Sequence, residues 1–512
     1  MIRSIKRSLA DILGEDYVEK LLENRAFLGY DKENDRRLAY EKVDFYPEEF
    51  AKRQEELIHY AGKKVVAPFV NGKIGAATKA YQAAAECGRS GMGTYGVFRV
   101  GEDGNLYVSS KAEHYHASLG HNFPGYRLLE YARRLGITTA AHNTARGYIT
   151  RLLEEELIKT AGGISEHDKE GCERIKNSKE PGVLNRVLNL ETGSLATEAA
   201  VKMMLARFYR YEEKMEEPVY ADRIPVFLVI GDTAGGLGAN YHGTTLFTQY
   251  LRGFWPEIAE KTQGAEAFKI CPVGINDVAD FREKMEQYNR PPYKTAGFLH
   301  EIVLMNYGAV LLEKDYLQAA YRLCRQYDTP VLCDEIQSCM WCEGMYLFRE
   351  FDLHPDFVSI GKGFPGGTYA SSRLLMTEPV DCLELFGALV TNGQNEISSL
   401  AYLITMEFAK ANGNHITEIG NYLHEKTEEK LGKYDCFDEV TGKGLLMAVK
   451  LKDLDMIQKF GHAIAAYGYE VSVQSYKPHC PPVAITKLPV TISRALVDSF
   501  TDAMELAVRD IL

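Results

Sequence analysis

The sequence predicts an α/β fold on a mostly parallel sheet, and three observations lead there. Short apolar runs that read as buried strands, Pro225–Ile230, Thr329–Cys333 and Phe357–Ile360, end abruptly in polar or glycine residues. Segments with helical spacing of apolar residues, such as Tyr148–Ile158 and Tyr316–Tyr327, stand between runs of that kind. Strand-helix-strand order implies crossover connections and parallel pairing.

Length and composition bound the functions that fit. The 512 residues suffice for two or three domains, and 46% hydrophobic content is ordinary for a globular protein. The formal charge of −12 is scattered along the chain, which excludes nucleic acid as the main partner. No run approaches the length of a membrane span, and the basic start lacks a continuous apolar stretch, so neither a membrane nor secretion is expected. Ten cysteines without a framework pattern fit a reducing compartment, the cytoplasm.

Residues 1–95 form a mainly helical extension, with helical periodicity in Asp16–Glu23 and Glu48–Ile58 and no recognisable chemistry. The glycine-rich Gly88–Gly96 reads as a loop. Gly101–Tyr107 reads as a hairpin turning at Asp103-Gly104. His121 reads as a structural histidine, and His142 precedes the Tyr148–Ile158 helix. Strand-like Val187–Leu190 leads through Thr192-Gly193-Ser194 into a helix, a junction whose free amides and dipole suit an anion. The loop Gly231–Gly238 lacks the Lys-Ser/Thr of a nucleotide-binding P-loop.

Ala296–Glu301 is a strand ending in a carboxylate, and the Thr329–Cys333 strand ends at Asp334-Glu335. Cys339 and Cys342 form a C-x-x-C, read as two loop thiols because no second pair accompanies them. Phe357–Ile360 ends in Gly361-Lys362-Gly363, so a lysine and a carboxylate emerge at strand ends, where α/β sheets bind ligands. Gly361–Gly366 also fits a dinucleotide G-x-G-x-x-G; Pro365 and the extended stretch after it argue against that oxidoreductase reading.

Asp334-Glu335-Ile336-Gln337, then Pro355-Asp356-Phe357 and Lys362, resemble in order and spacing the class III (ω-type) aminotransferases of fold type I. So do Glu191–Lys202, Tyr241-His-Gly-Thr-Thr245, Ser118–Pro124 and Leu389–Glu396. The chain is identified as an atypical member with a long N-terminal portion. The resemblance runs from about Phe98 to the C-terminus and implies a large pyridoxal-phosphate domain, residues 141–390. It also implies a smaller discontinuous α/β domain made of residues 96–140 and 391–512.

For the site, the resemblance implies pyridoxal 5′-phosphate as cofactor and no metal. Lys362 would carry the Schiff base and move the proton, and Asp334 would pair with the pyridine nitrogen. Gln337 would hydrogen-bond the phenolic oxygen, Gly193 and Ser194 would hold phosphate, and Tyr241 would stack on the ring. Glu301 would lie over the active site, and Thr391 would reach the phosphate of the neighbouring subunit of a homodimer. The implied reaction is transfer of an amino group from an amino acid or amine to a keto acid or aldehyde. An aminomutase of the glutamate-1-semialdehyde type, a decarboxylase and a non-catalytic relative stay open as alternatives. The sequence departs from the family pattern at Leu195, Ile302, Gln394 and Glu396, and at Lys487, near which the family often has a substrate-binding arginine. Lys487 is read as its replacement or as a salt-bridge lysine; His142 is read as a substrate-side candidate.

Overall fold

The computed structural model describes residues 2–70, 72–73, 75–82, 90–112, 116–165, 167–474 and 479–512. Its centre is a seven-stranded sheet of β1 (Leu184–Leu190), β2 (Ile224–Ile230), β3 (Lys269–Val273), β4 (Tyr293–His300), β5 (Val331–Asp334), β6 (Phe357–Ile360) and β7 (Ser372–Thr377). The spatial order is β1-β7-β6-β5-β4-β2-β3. The pairs among β3, β2, β4, β5 and β6 are parallel, and β7 runs antiparallel to both β6 and β1. The predicted α/β fold with a mostly parallel sheet is the one observed. Strand β2 (IPVFLVI) is buried along its whole length, as expected of a strand covered on both faces.

The crossover from β4 to β5 runs through the helix Lys314–Gln326, matching the strand-helix-strand order read in the sequence. Gly361–Gly366 opens no helix; turns lead directly into the antiparallel strand β7, so the dinucleotide reading fails on structure as well. A second, four-stranded antiparallel sheet comprises Phe437–Lys443, Leu446–Leu451, Ser472–Val473 and Val483–Lys487. The helices Leu454–Ala466 and Arg494–Ile511 accompany it. The helix Glu396–Leu431 passes between the two sheets in the chain and kinks at Asn412.

That kink holds the N-terminal portion in place. Asn412 accepts a hydrogen bond from Arg3 N at 2.7 Å and returns one to Arg3 O at 3.1 Å, while Arg7 pairs with Glu407 at 2.8 Å. The helices Leu9–Leu13, Glu15–Phe27, Lys32–Tyr40 and Glu48–Ile58 bury Leu9, Leu13, Val18, Leu22 and Leu38 in a core continuous with that of the body. This portion is therefore packed on the rest of the chain and shares its hydrophobic stabilisation.

One expectation is overturned. Gly91–Tyr95, read as part of a loop, is a strand pairing antiparallel with Phe98–Gly101, which in turn pairs with Leu106–Val108. A register shift between Gly91 and Gly93 gives the physical reason: glycines at an edge mark a bulge that interrupts pairing without ending it. Gly88 and Arg89, the start of that predicted loop, lie outside the described residues. Asp103-Gly104 makes the predicted turn of the next hairpin, with Gly104 at φ +80°.

Candidate active site

Adjacent parallel strands bring the first pair of groups together. Asp334 stands opposite Ser359 across β5 and β6, and Lys362 follows two residues beyond the end of β6. Lys362 adopts φ +28°, a left-handed backbone that costs a β-carbon residue about 1–2 kcal/mol, between Gly361 and Gly363. A Cβ at Gly361 would come 3.1 Å from Ser372, and one at Gly363 would meet the Trp341 ring at 2.4 Å. The glycines therefore let the lysine-bearing turn sit tight against its neighbours. Burial pushes the Lys362 ammonium toward the neutral amine, while the carboxylates of Glu301 and Asp334 pull the other way.

Asp334 is 4% exposed and fully engaged. One oxygen, Oδ1, accepts from Ser359 Oγ at 2.9 Å and from Ile336 N at 3.1 Å; the other lies 2.8 Å from His242 Nδ1. The carboxylate is fixed in rotation by contacts on both oxygens. Glu301, also buried, closes the end of β4, and Gln337 follows in the turn after β5. Lys362, Asp334, Gln337, Glu301, Tyr241, Gly193 and Ser194 all line one cavity of about 420 Å³ at the carboxyl ends of the parallel strands.

The helix Gly193–Leu205 starts directly at this cavity. Thr192 is its N-cap, accepting from Leu195 N at 3.4 Å. Ser194 Oγ accepts from Thr244 N at 3.1 Å, which leaves its own O–H to donate. Gly243, at φ +133°, lies so close that a Cβ there would be 2.7 Å from Ser194 Cα. Tyr241 lines the cavity and carries the Arg252 guanidinium 4.8 Å from its ring centroid.

The donor set fits pyridoxal phosphate on an observation of the pocket itself. Gln337 Oε1, His242 Nε2 and Ser372 Oγ are buried polar atoms with no hydrogen-bond partner among the described residues, and all three residues line the cavity. Buried polar atoms left unmatched are costly, so a polar guest that satisfies them is favoured. The helix amides at Gly193 and Ser194 suit a phosphate, Asp334 a protonated ring nitrogen, and Lys362 an aldehyde.

Other expected residues fall elsewhere. Thr391 is exposed and outside this cavity, after the short helix Leu385–Ala388. His142 is exposed and bonded locally to Thr144. His121 lies 3.2 Å from the Ser109 hydroxyl, a structural position. Lys487 is fully buried, donates to the Gln337 carbonyl at 2.5 Å, and has its Nζ 3.6 Å from the Trp341 ring centroid. Burial and the neighbouring Lys362 both push it toward the neutral amine. Cys339 and Cys342 are buried free thiols whose proton affinity burial raises, and Cys339 donates to Gly361 O at 3.5 Å.

Sequence reasoning missed His242, Ser359, Glu191 and Tyr369, which line the cavity or hold its acid. Two signals were present: a histidine inside the Tyr241-His-Gly run, and a lone serine in the apolar strand Phe357–Ile360.

Comparison with known proteins agrees with this geometry. The family model for aminotransferase class-III matches residues 95–508. Acetylornithine aminotransferase of Methanocaldococcus jannaschii is 27% identical over 291 residues, 54% of this chain and 65% of that protein. The Aquifex aeolicus enzyme of that name is 24% identical over 331 residues, 64% of this chain and 80% of its own length. Among solved structures, the ornithine aminotransferase of Plasmodium yoelii superposes with a TM-score of 0.62 at 17% identity, covering 82% of this chain and 94% of that one. A transaminase from the marine bacterium Virgibacillus gives 0.65 at 15%, covering 89% and 99%. These structural likenesses carry the fold. The family match spans most of the chain, including every strand of the seven-stranded sheet, so this chain belongs to the class III aminotransferases, pyridoxal-phosphate-dependent enzymes of fold type I.

Proposed function

We propose that Lys362 is the residue that binds pyridoxal phosphate covalently and that the chain moves an amino group from an amino acid or amine to a keto acid or aldehyde. The observation that carries this assignment is the lysine and the acid, Lys362 and Asp334, at the ends of neighbouring parallel strands in one cavity. When bound, the cofactor supplies an electron sink for the carbon that loses its proton. Lys362 Nζ, which burial pushes toward the neutral amine against the pull of Glu301 and Asp334, would take that proton from the donor carbon and return it on the acceptor side. Asp334, braced by Ser359 and His242, would hold a proton on the ring nitrogen, and the Gln337 amide would hydrogen-bond the phenolic oxygen. The Gly193 and Ser194 amides with the Ser194 hydroxyl would hold the phosphate, Tyr241 would stack on the ring, and Glu301 would supply a carboxylate to the same cavity.

In this reading Thr391 completes the phosphate site of a second copy, which makes the protein a homodimer with shared active sites. The large domain is residues 141–390, and 96–140 with 391–512 form the smaller one. Among the described residues no helix is long and apolar enough to cross a membrane, and the reading places the protein in the cytoplasm. The test is a panel of amino donors mixed with cofactor-loaded protein in single turnover. Donor alone should convert the cofactor's spectrum, and a keto acid should restore it. Release of carbon dioxide, or turnover with no acceptor, would overturn transamination.

A further inference from the structure

Lys487 is the last residue of the strand Val483–Lys487 and is fully buried. With Leu488, the next residue, it grips one turn of the large sheet at two points. Lys487 Nζ donates to the Gln337 carbonyl at 2.5 Å, and Trp341 Nε1 donates to the Leu488 carbonyl at 2.8 Å. The same Nζ stands 3.6 Å from the centroid of the Trp341 ring. The segment held in this way, Gln337–Trp341, follows Asp334 at the end of β5.

Both ends of that segment meet the candidate active site. Gln337 lines the cavity, and its buried Oε1 has no hydrogen-bond partner among the described residues. At the other end the Trp341 ring lies against the turn that carries the lysine. A Cβ at Gly363, next to Lys362, would come 2.4 Å from that ring. Lys487 is not among the residues that line the cavity, so its amine works on the turn and not on a guest. Packing alone would favour an apolar side chain here, because a buried amine must hold an uncompensated charge or give up its proton. Burial and the neighbouring Lys362 both push it to the second state. What the amine adds over an apolar group is a donor for the buried Gln337 carbonyl.

We propose that Lys487 is a positioning residue for the reaction. With Leu488 it holds the Gln337–Trp341 turn, so that the Gln337 amide stays aimed at the phenolic oxygen and the Trp341 ring stays against the Lys362 turn. The proposal rests on the roles given to Lys362 and Gln337 above.

The test is a pH titration of the absorbance of the cofactor-loaded full-length protein, with borohydride adducts located by peptide mass. Gln337→Ala, which removes the amide from the phenolic oxygen, should move the midpoint by about one pH unit, the worth of one hydrogen bond to a charged group. Lys487→Met keeps the side chain's length and its packing on Trp341 but has no donor, and it should move the midpoint the same way. The double variant should move it no further than Gln337→Ala alone, because both changes act on one contact. Trp341→Phe keeps a ring, loses the bond to Leu488 O, and should shift the midpoint in the same direction; it carries the test if Lys487→Met does not fold. A midpoint unmoved in Lys487→Met and in Trp341→Phe, or shifts that add in the double variant, would overturn the proposal. An adduct missing from Lys362 in the unaltered protein overturns the Lys362 assignment and this proposal with it. An adduct on Lys362 with unmoved midpoints overturns this proposal alone.

Discussion

His242 Nδ1 and Asp334 Oδ2 stand 2.8 Å apart with both side chains buried. Nothing else holds that carboxylate oxygen among the described hydrogen bonds, since Ser359 and Ile336 take the other one. His242→Phe should therefore let Asp334 rotate and lower kcat/KM by about 10–100-fold, the worth of one hydrogen bond to a charged group. His242→Asn, which keeps a donor, should recover part of the loss and share the wild-type pH profile. Equal activity of the Phe variant and the wild type would remove His242 from the site.

Glu335, beside Asp334 in sequence, faces the opposite way. It is fully buried, accepts from Phe348 N at 2.6 Å and from the Ser338 hydroxyl at 2.5 Å, and burial pushes its pKa up to about 7. A folded-state pKa raised above the unfolded one means stability present at low pH and lost as pH rises toward 7. Glu335→Gln breaks the hydrogen-bond set yet lacks this titration. Its stability deficit should be largest near pH 4.5 and shrink by up to about 3 kcal/mol by pH 7.5. Buried His300, whose pKa burial lowers to about 4, loses stability in the opposite direction, but it is common to both proteins and cancels in the difference. Denaturant melts at several pH values check this; a deficit that does not change with pH contradicts it.

Glu396 is one of the chain's departures from the family pattern, and the structure gives it a task. Its carboxylate accepts from Ile149 N at 2.9 Å and from Thr150 N at 3.2 Å and Oγ1 at 2.5 Å, capping the helix Tyr148–Ala161 from another part of the chain. The helix has Gly147 at its N-cap and no side-chain cap of its own. Glu396→Ala should cost about 2 kcal/mol, the upper end for losing a helix cap, read from urea melts. A change below about 0.5 kcal/mol, the range of a surface substitution, would contradict the assignment.

The sheet and the pocket's main groups were legible because each sits where an apolar run stops. Asp334 ends β5 and Lys362 follows two residues after β6, and their apolar runs are too short to be anything but strands between turn residues. Glu396 was not legible, because its partners Ile149 and Thr150 lie about 250 residues away and no local spacing encodes a cap borrowed from another segment. Lys487 could be read as a substrate-binding or salt-bridge lysine; only the tertiary packing of Trp341 and Gln337 places it inside, against the backbone of a pocket residue. Gly91–Tyr95 was hidden by glycine content, since propensity is a weak guide where an edge strand is held by its neighbour.

The account rests on which lysine takes the aldehyde, and two amines at the pocket that burial pushes toward neutrality compete, half-buried Lys362 and fully buried Lys487. Borohydride reduction of the cofactor-loaded protein followed by peptide mass mapping decides between them. The account predicts a single cofactor adduct on Lys362, absent from Lys362→Ala together with a loss in kcat of about 10²–10⁴-fold. An adduct on Lys487, or none on either lysine, would contradict it.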